Sequence, residues 1–271
     1  MIRIELLKLF RRPRTWMTIA MLDALPTIVA ILLAVTGVGP RPGQGPAFLS
    51  AVLSNGSLFA VAALAIVLPL FLPVAVAVVA GDTIAGEAQS GTLRYLLIRP
   101  VGRTRLLVAK LVSVFAFVLV AVVVVAGTGY FVGRLLLGDQ PVTAAVTSVS
   151  GSSLTSGQIT VRTVIAIAYV AFSMLGVAAV ALFLSTVTDS ALSASMGALA
   201  ILIGSSLLLT IDASRALQPY LPTRYWLSFI DLFRDPILWR NVLRGVALQG
   251  VYVGVLLGAA WANFATKDVT S

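Results

Sequence analysis

The chain has 271 residues, 59% hydrophobic and 11% charged, whereas soluble domains average about 25% charged residues, so the composition indicates an integral membrane protein. Cysteine and histidine are absent, which excludes disulfides, thiolate or imidazole metal ligands, and cysteine or histidine catalysis, and no metal site is predicted. The net charge of +9 does not indicate nucleic-acid binding, because much of the basic charge flanks apolar segments, where it sets topology and contacts membrane lipid headgroups.

The first predicted element is an amphipathic helix over residues 1–15. Pro13 ends its pattern, and the basic residues lie largely away from its apolar face. We expect this helix to lie in the membrane interface. Its apolar residues recur at helical spacing: Ile2, Leu6, Leu9 and Phe10.

Six apolar stretches are each long enough to cross a bilayer as a helix, because a core of about 30 Å needs roughly 20 residues. None of them alternates with the period of two that barrel strands show. The first stretch follows basic residues, as a secretory signal does, but it is too long for one. We therefore predict an all-α integral membrane fold, a single transmembrane domain over residues 1–271 with six transmembrane helices: residues 16–38, 58–80, 106–132, 164–187, 191–211 and 246–264.

Three features inside these spans each allow two interpretations. Asp23 is a carboxylate within the first span, at an insertion cost on the order of 2.5–3.5 kcal/mol, and it either has a structural partner or belongs to a substrate path. Pro69 and Pro73 in the second span indicate a kink, although tolerated prolines explain them equally well. Small residues of the fifth span fit close packing within the bundle as well as a dimer contact: Ala191, Ser195, Ala198 and Gly204.

The stretch from Gly81 to Lys110, which connects the second span to the third and includes the start of the third, carries five basic residues, two acids and several glycines. A helix is predicted over residues 83–98, because Pro100 disfavours helical geometry just before it. This helix is expected to lie across the base of the bundle with Glu87 facing the cytoplasm. A positive loop that fixes topology explains the arginines, but it does not explain an acid, nor two glycines that each cost about 1 kcal/mol inside a helix, Gly86 and Gly91.

Basic residues near the ends of the spans predict that both termini are cytoplasmic. The loop between the first two spans has Arg41 alone. Ten basic residues lie in the two segments expected to stay in the cytoplasm on either side of that loop: Arg3, Lys8, Arg11, Arg12, Arg14, Arg94, Arg99, Arg103, Arg105 and Lys110.

We predict a further short helix in the outer segment, residues 212–244, which precedes the last span. Prolines lie on either side of it, and one of its faces is apolar and largely aromatic. We expect this helix to lie at the outer interface, with its aromatic residues in the interfacial belt. The residues of that face are Trp226, Phe229, Ile230 and Phe233.

The run G-E-x-x-x-G-T-L-x-x-L-L-x-x-P-V-x-R, from Gly86 to Arg103 and followed by Lys110, resembles the signature of bacterial type-2 ABC exporter permeases. The resemblance extends to the interfacial helix, the six spans and the aromatic segment "FIDLFRD". It implies that residues 83–98 form a coupling helix that sits in a cleft of a separate ATPase subunit. The residues that it places in contact with this ATPase are Glu87, Gly91, Thr92, Leu93, Arg94, Leu96, Leu97, Arg99, Pro100 and Arg103.

The resemblance also implies export across the bacterial cytoplasmic (inner) membrane together with a second permease copy or a paralogue. ATP and Mg²⁺ would bind on the partner subunit, and no cofactor is expected in this chain. Independently of the resemblance, none of the three lysines completes the Gly-Lys-Ser/Thr of a P-loop, so the chain is not expected to be an enzyme that hydrolyses ATP.

Two other classes of function stay open. An ion- or proton-coupled carrier would show several intramembrane charges, whereas Asp23 is the one clear intramembrane acid in the sequence. A membrane-embedded enzyme without histidine or cysteine would depend on carboxylates, which are scattered along this sequence and not paired.

Overall fold

The computed structural model describes residues 1–36, 56–91, 102–137, 146–147 and 153–266. Within these ranges the chain forms the α-helices α1 (Ile2–Arg11), α2 (Pro13–Thr36), α3 (Phe59–Val67), α4 (Phe71–Asp82), α5 (Ala85–Gln89), α6 (Arg103–Leu136), α7 (Ser156–Val187), α8 (Ala191–Leu208) and α9 (Trp239–Thr266). Four short 3₁₀ helices lie at Gly56–Leu58, Asp212–Ser214, Gln218–Tyr220 and Trp226–Phe233. Two-residue strands, β1 (Val146–Thr147) and β2 (Ser153–Leu154), pair antiparallel.

The predicted all-α membrane fold is confirmed. Five described helices, α2, α6, α7, α8 and α9, are long and apolar enough to cross a membrane, and α3 with α4 forms a sixth, broken candidate. Several described helices begin a few residues before the apolar stretch from which we predicted them, because the helix also includes polar residues that precede the stretch. Thr155 caps α7 in this way: its hydroxyl accepts from the Gln158 backbone N–H (3.4 Å), and the Gln158 side chain accepts from the Thr155 N–H (2.9 Å).

The second span is a broken helix. The axes of α3 and α4 differ in direction by 59°, and the break contains Pro69, with Pro73 one turn later. Proline has no N–H, so the carbonyls of Ala65 and Pro69 lose their helical donors at this point. Of the two interpretations of these prolines, the structure therefore supports the kink.

Close packing of small residues holds the bundle together around α7, in whose most apolar window 67% of residues are buried. Gly133 of α6 lies against Gly56 and Phe59, so closely that a Cβ on either glycine would collide with the other's backbone. Ser195 of α8 is buried against Gly81 of α4. The small residues of the fifth span thus include at least one that packs within the bundle, as the first of the two interpretations requires.

The N-terminal region consists of two helices, because the chain becomes extended at Arg12 (φ −77°, ψ 122°) and α2 starts at Pro13. Proline is favourable at the first position of a helix, where no N–H is needed. In α1, Ile4 and Leu7 are exposed, as expected for an interfacial helix, but the opposite side buries Glu5. This helix is therefore anchored to the bundle through a charged residue.

The outer segment differs from its prediction. Its aromatic stretch is the 3₁₀ helix Trp226–Phe233, and Trp226, Phe229 and Phe233 are all buried. The expectation that these aromatics form an interfacial belt is wrong, because α7 and α9 supply a surface that covers them. Polar groups of these helices also hold the segment: Tyr169 donates to the Tyr225 carbonyl (2.6 Å) and Gln249 to the Pro222 carbonyl (2.6 Å).

Candidate functional site at the elbow

The chain turns sharply between the second and third spans, at residues 81–91, which we call the elbow. One buried hydroxyl, that of Ser185 in α7, holds it. Its oxygen accepts from the backbone N–H groups of Ile84 (3.2 Å) and Ala85 (2.8 Å), and the hydroxyl donates to the Gly81 carbonyl (2.7 Å). Since all three backbone groups lie at the junction of α4 and α5, the elbow is fixed to α7, a helix with a largely buried apolar window.

The helix predicted over residues 83–98 forms only at Ala85–Gln89 in its described part, and its continuation through residues 90 and 91 is wrong. The helix α5 ends at Gln89, and Gly91 has a φ of +68°. This left-handed conformation ends a helix and favours glycine, which has no Cβ. Gly86 is inside the short helix, where a Cβ would collide with the carboxylate of Asp82.

Most of the residues that the resemblance assigned to the ATPase contact lie outside the described residues. These are Thr92, Leu93, Arg94, Leu96, Leu97, Arg99 and Pro100. Glu87, Gly91 and Arg103 are described, and Gly91 is exposed at the tip of the elbow.

Four charged residues meet beneath the elbow, and we call them the ion cluster: Glu5, Lys8, Glu87 and Lys110. Lys110, near the start of α6, lies 2.5 Å from an oxygen of Glu87 and 3.0 Å from an oxygen of Glu5. Lys8 of α1 pairs with the same Glu87 oxygen. The side chains of Lys110 (3% exposed), Glu87 (7%) and Glu5 (10%) are buried, whereas that of Lys8 is 39% exposed. Three separate elements therefore bring two acids and two bases together, with Lys8 at the solvent-facing edge.

The electrostatics of the ion cluster favour the charged form of Glu87. Burial by itself raises the pKa of Glu87, but the charges of Lys110 and Lys8 and the hydrogen bonds that both lysines donate outweigh it, and the pKa lies below its ordinary value. Removing one member of a buried pair leaves the other without compensation, which typically costs 3–5 kcal/mol. The cluster therefore fixes α1, α5 and α6 to one another.

The position of Glu87 corrects the expectation from the sequence. A carboxylate facing the cytoplasm was expected, but Glu87 is 5% exposed and faces α1 and α6. The two acids of the ion cluster, Glu5 and Glu87, lie 82 positions apart in the sequence. The role of Glu5 and Lys8 was missed, and the signal available for it was weak: an acid and a base three positions apart on one helix.

A cleft of about 500 Å³ lies between α1, the start of α2, the end of α4, the elbow and α6, and all four residues of the ion cluster line it. Arg12 and Asp82 form an ion pair across it at 3.3 Å, and Arg14 also lines it. Exposed Ser90 lies at its edge. The lining carries charges of both signs on the side of the elbow that is open to solvent.

The same end of the bundle joins the last helix to the third and fourth spans. Arg103 donates to the carbonyls of Phe264 (3.3 Å) and Ala265 (2.8 Å) at the end of α9, where the helix dipole favours a cation. Asn263 donates to the Thr186 carbonyl (3.0 Å). Arg103 therefore connects α6 to α9, in addition to any contact outside the chain.

Asp23 is a half-buried residue of α2, and the Thr128 hydroxyl of α6 donates a hydrogen bond to its carboxylate. This contact gives the intramembrane acid the structural partner that one of its two interpretations requires. The other interpretation, a position on a substrate path, stays a prediction. No group of three or more acidic residues that could hold a metal ion occurs in the described ranges.

Comparison with known families gives a match that includes the elbow, the ion cluster and Asp23, but not α9. The sequence model of the ABC-2 family transporter proteins matches residues 1–188, a range that begins before α1, contains the elbow and the ion cluster, and ends just after α7. A comparison with curated proteins finds no match. Since the family match spans well over half of the 271 residues, the chain belongs to the ABC-2 family of transporter proteins.

Proposed function

We propose that this permease component of an ABC transporter exports a substrate across the bacterial cytoplasmic membrane, with both termini in the cytoplasm. ATP would be hydrolysed with Mg²⁺ on a separate ATPase subunit, since the chain contains no P-loop lysine. The ATPase docks at the elbow and at the residues that follow it up to Arg103. Movement of the docked subunit tilts α4, which ends at this site, and α6, which begins at Arg103.

The observation that carries this proposal is the way in which the elbow is held. Its exposed tip, Gln89 to Gly91, projects from a base that Ser185 and the ion cluster fix to four helices. A force applied at the tip is therefore passed to α1, α4, α6 and α7 together. An ordinary topological loop needs no such attachment, because its positive charges act without contact to the bundle.

The buried position of Glu87 changes the role that we propose for it. It holds the docking segment in position from the inside, and the direct contact falls to the exposed tip and to the basic residues after it, Arg94 and Arg99. Gly91 contributes its left-handed conformation, which ends the helical path of α5.

The test is to obstruct the tip without disturbing its base. Ser90→Trp places a large side chain at an exposed position of the elbow, and Ala216→Trp places the same side chain at an exposed position at the other end of the bundle. We expect Ser90→Trp to reduce copurification of the ATPase subunit and substrate-stimulated ATP hydrolysis in liposomes. Ala216→Trp should leave both unchanged, and equal recovery of the ATPase with the two variants would contradict docking at the elbow.

A second permease copy or a paralogue completes the proposed assembly. The last helix has an exposed glycine every four residues, Gly250, Gly254 and Gly258, and no atom of the described residues lies within 4 Å of a Cβ built on any of them. Glycines at this spacing allow two membrane helices to approach closely. The test is cross-linking of a Gly254→Cys variant, which shows whether this face of α9 meets a second copy. The comparison is Val123→Cys, at an exposed position of α6.

A further inference from the structure

The cleft at the elbow is larger than the ion cluster that forms part of its wall. Its lining continues one turn further into the spans, to Thr18 on α2 and to Val78 and Val79 on α4. Its volume of about 500 Å³ lies within the range of roughly 300–1,000 Å³ that is typical of small-molecule sites. The cleft therefore has room for a bound molecule, with a charged part and a more apolar part.

The ion pairs of the cleft leave one positive charge over. Four cations and three acids line it. The members of the ion cluster pair with one another, and Arg12 pairs with Asp82. The side chain of Arg14 is exposed and forms no ion pair with any residue in the described ranges. The lining therefore favours an anion.

The remaining hydrogen-bond donors of the cleft are those of arginine. Each of the five hydroxyl groups in the lining donates to a backbone carbonyl, as Thr15 does to Leu9 (2.7 Å) and Thr18 to Arg14 (2.9 Å). A guanidinium has five N–H donors, and the contact with Asp82 uses one of those of Arg12 (3.3 Å). Because guanidinium groups match the geometry of phosphate and carboxylate oxygens, an oxyanion fits this site.

The residues next to Arg14 locate the cleft relative to the membrane. Trp16 is 50% exposed and Met17 is 62% exposed, both near the start of the candidate span α2. Exposed apolar side chains of a span face hydrocarbon, and tryptophan favours the interface. Arg14 precedes these residues directly, so its guanidinium lies at the level of the lipid headgroups.

The corner between α1 and α2 holds the two arginines in place. The Thr15 hydroxyl and the Trp16 indole N–H donate back across the corner to the carbonyls of Leu9 (2.7 Å) and Phe10 (2.9 Å). Arg12 and Arg14 are thus carried by a fixed backbone. A preformed site of this kind loses less conformational freedom when a ligand binds.

We propose that the cleft binds the phosphate of an anionic phospholipid from the cytoplasmic leaflet, with Arg14 and Arg12 as the donors. The lipid chains leave the headgroup along the apolar part of the cleft, at Val78 and Val79. Basic pockets between membrane helices on the cytoplasmic side bind anionic headgroups in this way. The choice of leaflet rests on the proposed orientation, whereas the site itself consists of this chain alone and does not depend on the ATPase.

The test measures the dissociation constant of the first bound lipid by native mass spectrometry of the purified permease in detergent. Phosphatidylglycerol and phosphatidylcholine share a phosphate, but only phosphatidylglycerol has a net negative charge. We expect the wild-type protein to bind phosphatidylglycerol about fivefold more tightly than phosphatidylcholine, the effect of one basic contact. Equal affinities for the two lipids would overturn the site.

Arg14→Gln should abolish this preference, and Arg14→Lys should keep most of it because the charge is retained. The matched control is Arg240→Gln, at an exposed arginine beside Trp239 at the start of α9, which should keep the wild-type preference. Equal losses in Arg14→Gln and Arg240→Gln would contradict the proposal.

Two further measurements separate the lipid from other anions. Displacement of phosphatidylglycerol by an equal concentration of glycerol phosphate would assign the cleft to a soluble phosphate and overturn the lipid site. Loss of ATPase copurification in Arg14→Gln, with unchanged affinity for phosphatidylglycerol, would assign the cleft to the ATPase and overturn it as well. We expect neither result, because the apolar part of the cleft and its position at the headgroups both favour a lipid.

Discussion

Lys110 donates to two carboxylates that arrive from different directions, Glu5 on α1 and Glu87 on the elbow. An ammonium group has three donors and no acceptor, so it is suited to joining two acids at once. Glu87 in turn accepts from both Lys110 and Lys8. Each of these charges is compensated only while the other elements stay in place, and a single substitution therefore affects all three elements.

Glu87→Gln is predicted to destabilise the protein by about 3 kcal/mol or more, because it keeps the shape of the side chain but leaves two lysines without their shared acid. The measurement is the free energy of unfolding of the purified protein in detergent. Asp212→Asn is the matched control, since Asp212 pairs with Arg215 while its side chain is 88% exposed, and such pairs contribute little. Similar losses in the two variants would contradict a buried, coupled cluster.

Acid should weaken the ion cluster in a defined direction. The pKa of Glu87 is lower in the folded protein than its ordinary value of 4.5, so its contribution to stability is fully present above about pH 4.5 and is lost as the pH falls through the lower, folded pKa. We expect the stability difference between wild type and Glu87→Gln to be constant from pH 7 to about pH 5 and to shrink below that. A difference that does not change down to pH 3 would contradict this assignment.

Individual site residues could be predicted only in part. Glu87 stood out in the sequence because an acid is not needed in a loop that fixes topology, and Lys110 because the resemblance to type-2 ABC exporter permeases extends to it. Their pairing with Glu5 and Lys8 depends on how α1 folds back onto α6, which no local pattern encodes. The predicted direction of the Glu87 side chain was wrong for the same reason. The spacing of apolar residues placed Glu87 on the solvent-facing side of a single helix, whereas its contacts with α1 and α6 turn it inward.

At the scale of elements, the elbow depends on a side chain from a distant helix. Ser185 lies 101 positions after Ile84 and 100 after Ala85 in the sequence. The helix α5 has only five residues, and a helix of this length is not stable by itself. Its geometry is therefore imposed by α4 and by the hydroxyl of α7.

Ser185→Ala should loosen the elbow while leaving the spans folded. The substitution leaves the N–H groups of Ile84 and Ala85 buried without an acceptor, at a cost of about 1–3 kcal/mol. We expect faster hydrogen exchange at these two amides, measured by mass spectrometry on the peptide that contains the elbow. Ser156→Ala, at an exposed serine that begins α7, serves as the control and should not change exchange there.

Sequence patterns predicted some of the elements correctly and others incorrectly. Pro69 and Pro73 indicated a kink because proline lacks a donor, and the second span is broken there by 59°. The helix over residues 83–98 failed at Gly91, because periodicity reports which side chains share a face and says nothing about a positive φ. The burial of Trp226 and Phe229 was missed because an aromatic face fits a membrane interface and a protein surface equally well.

At the scale of the whole molecule, apolar length was the most informative signal. Each predicted span overlaps a helix, or a broken pair of helices, that is long and apolar enough to cross a membrane, because unpaired backbone groups are costly in hydrocarbon. The order of packing was not predictable. The apolar windows of α7 and α2 are similarly hydrophobic, yet 67% of the window of α7 is buried against 28% for α2.

The native absence of cysteine makes the proposed orientation directly testable. Single cysteines at Ser90, on the exposed tip of the elbow, and at Ala216, in the exposed outer segment, should differ in their reaction with an impermeant maleimide. We expect labelling of Ala216→Cys in intact cells, and labelling of Ser90→Cys only after the membrane is opened. The opposite pattern would invert the topology.

The ion cluster also constrains the order in which the chain is assembled. Ribosomes add about 5–20 residues per second, so Lys8 is made roughly 5–20 seconds before Lys110, its neighbour in the cluster. During that interval Lys110 is not yet available to pair with Glu5 or with Glu87. The amphipathic helix must wait in the headgroup region until the third span has been inserted, and a chain stalled before Lys110 would leave it undocked.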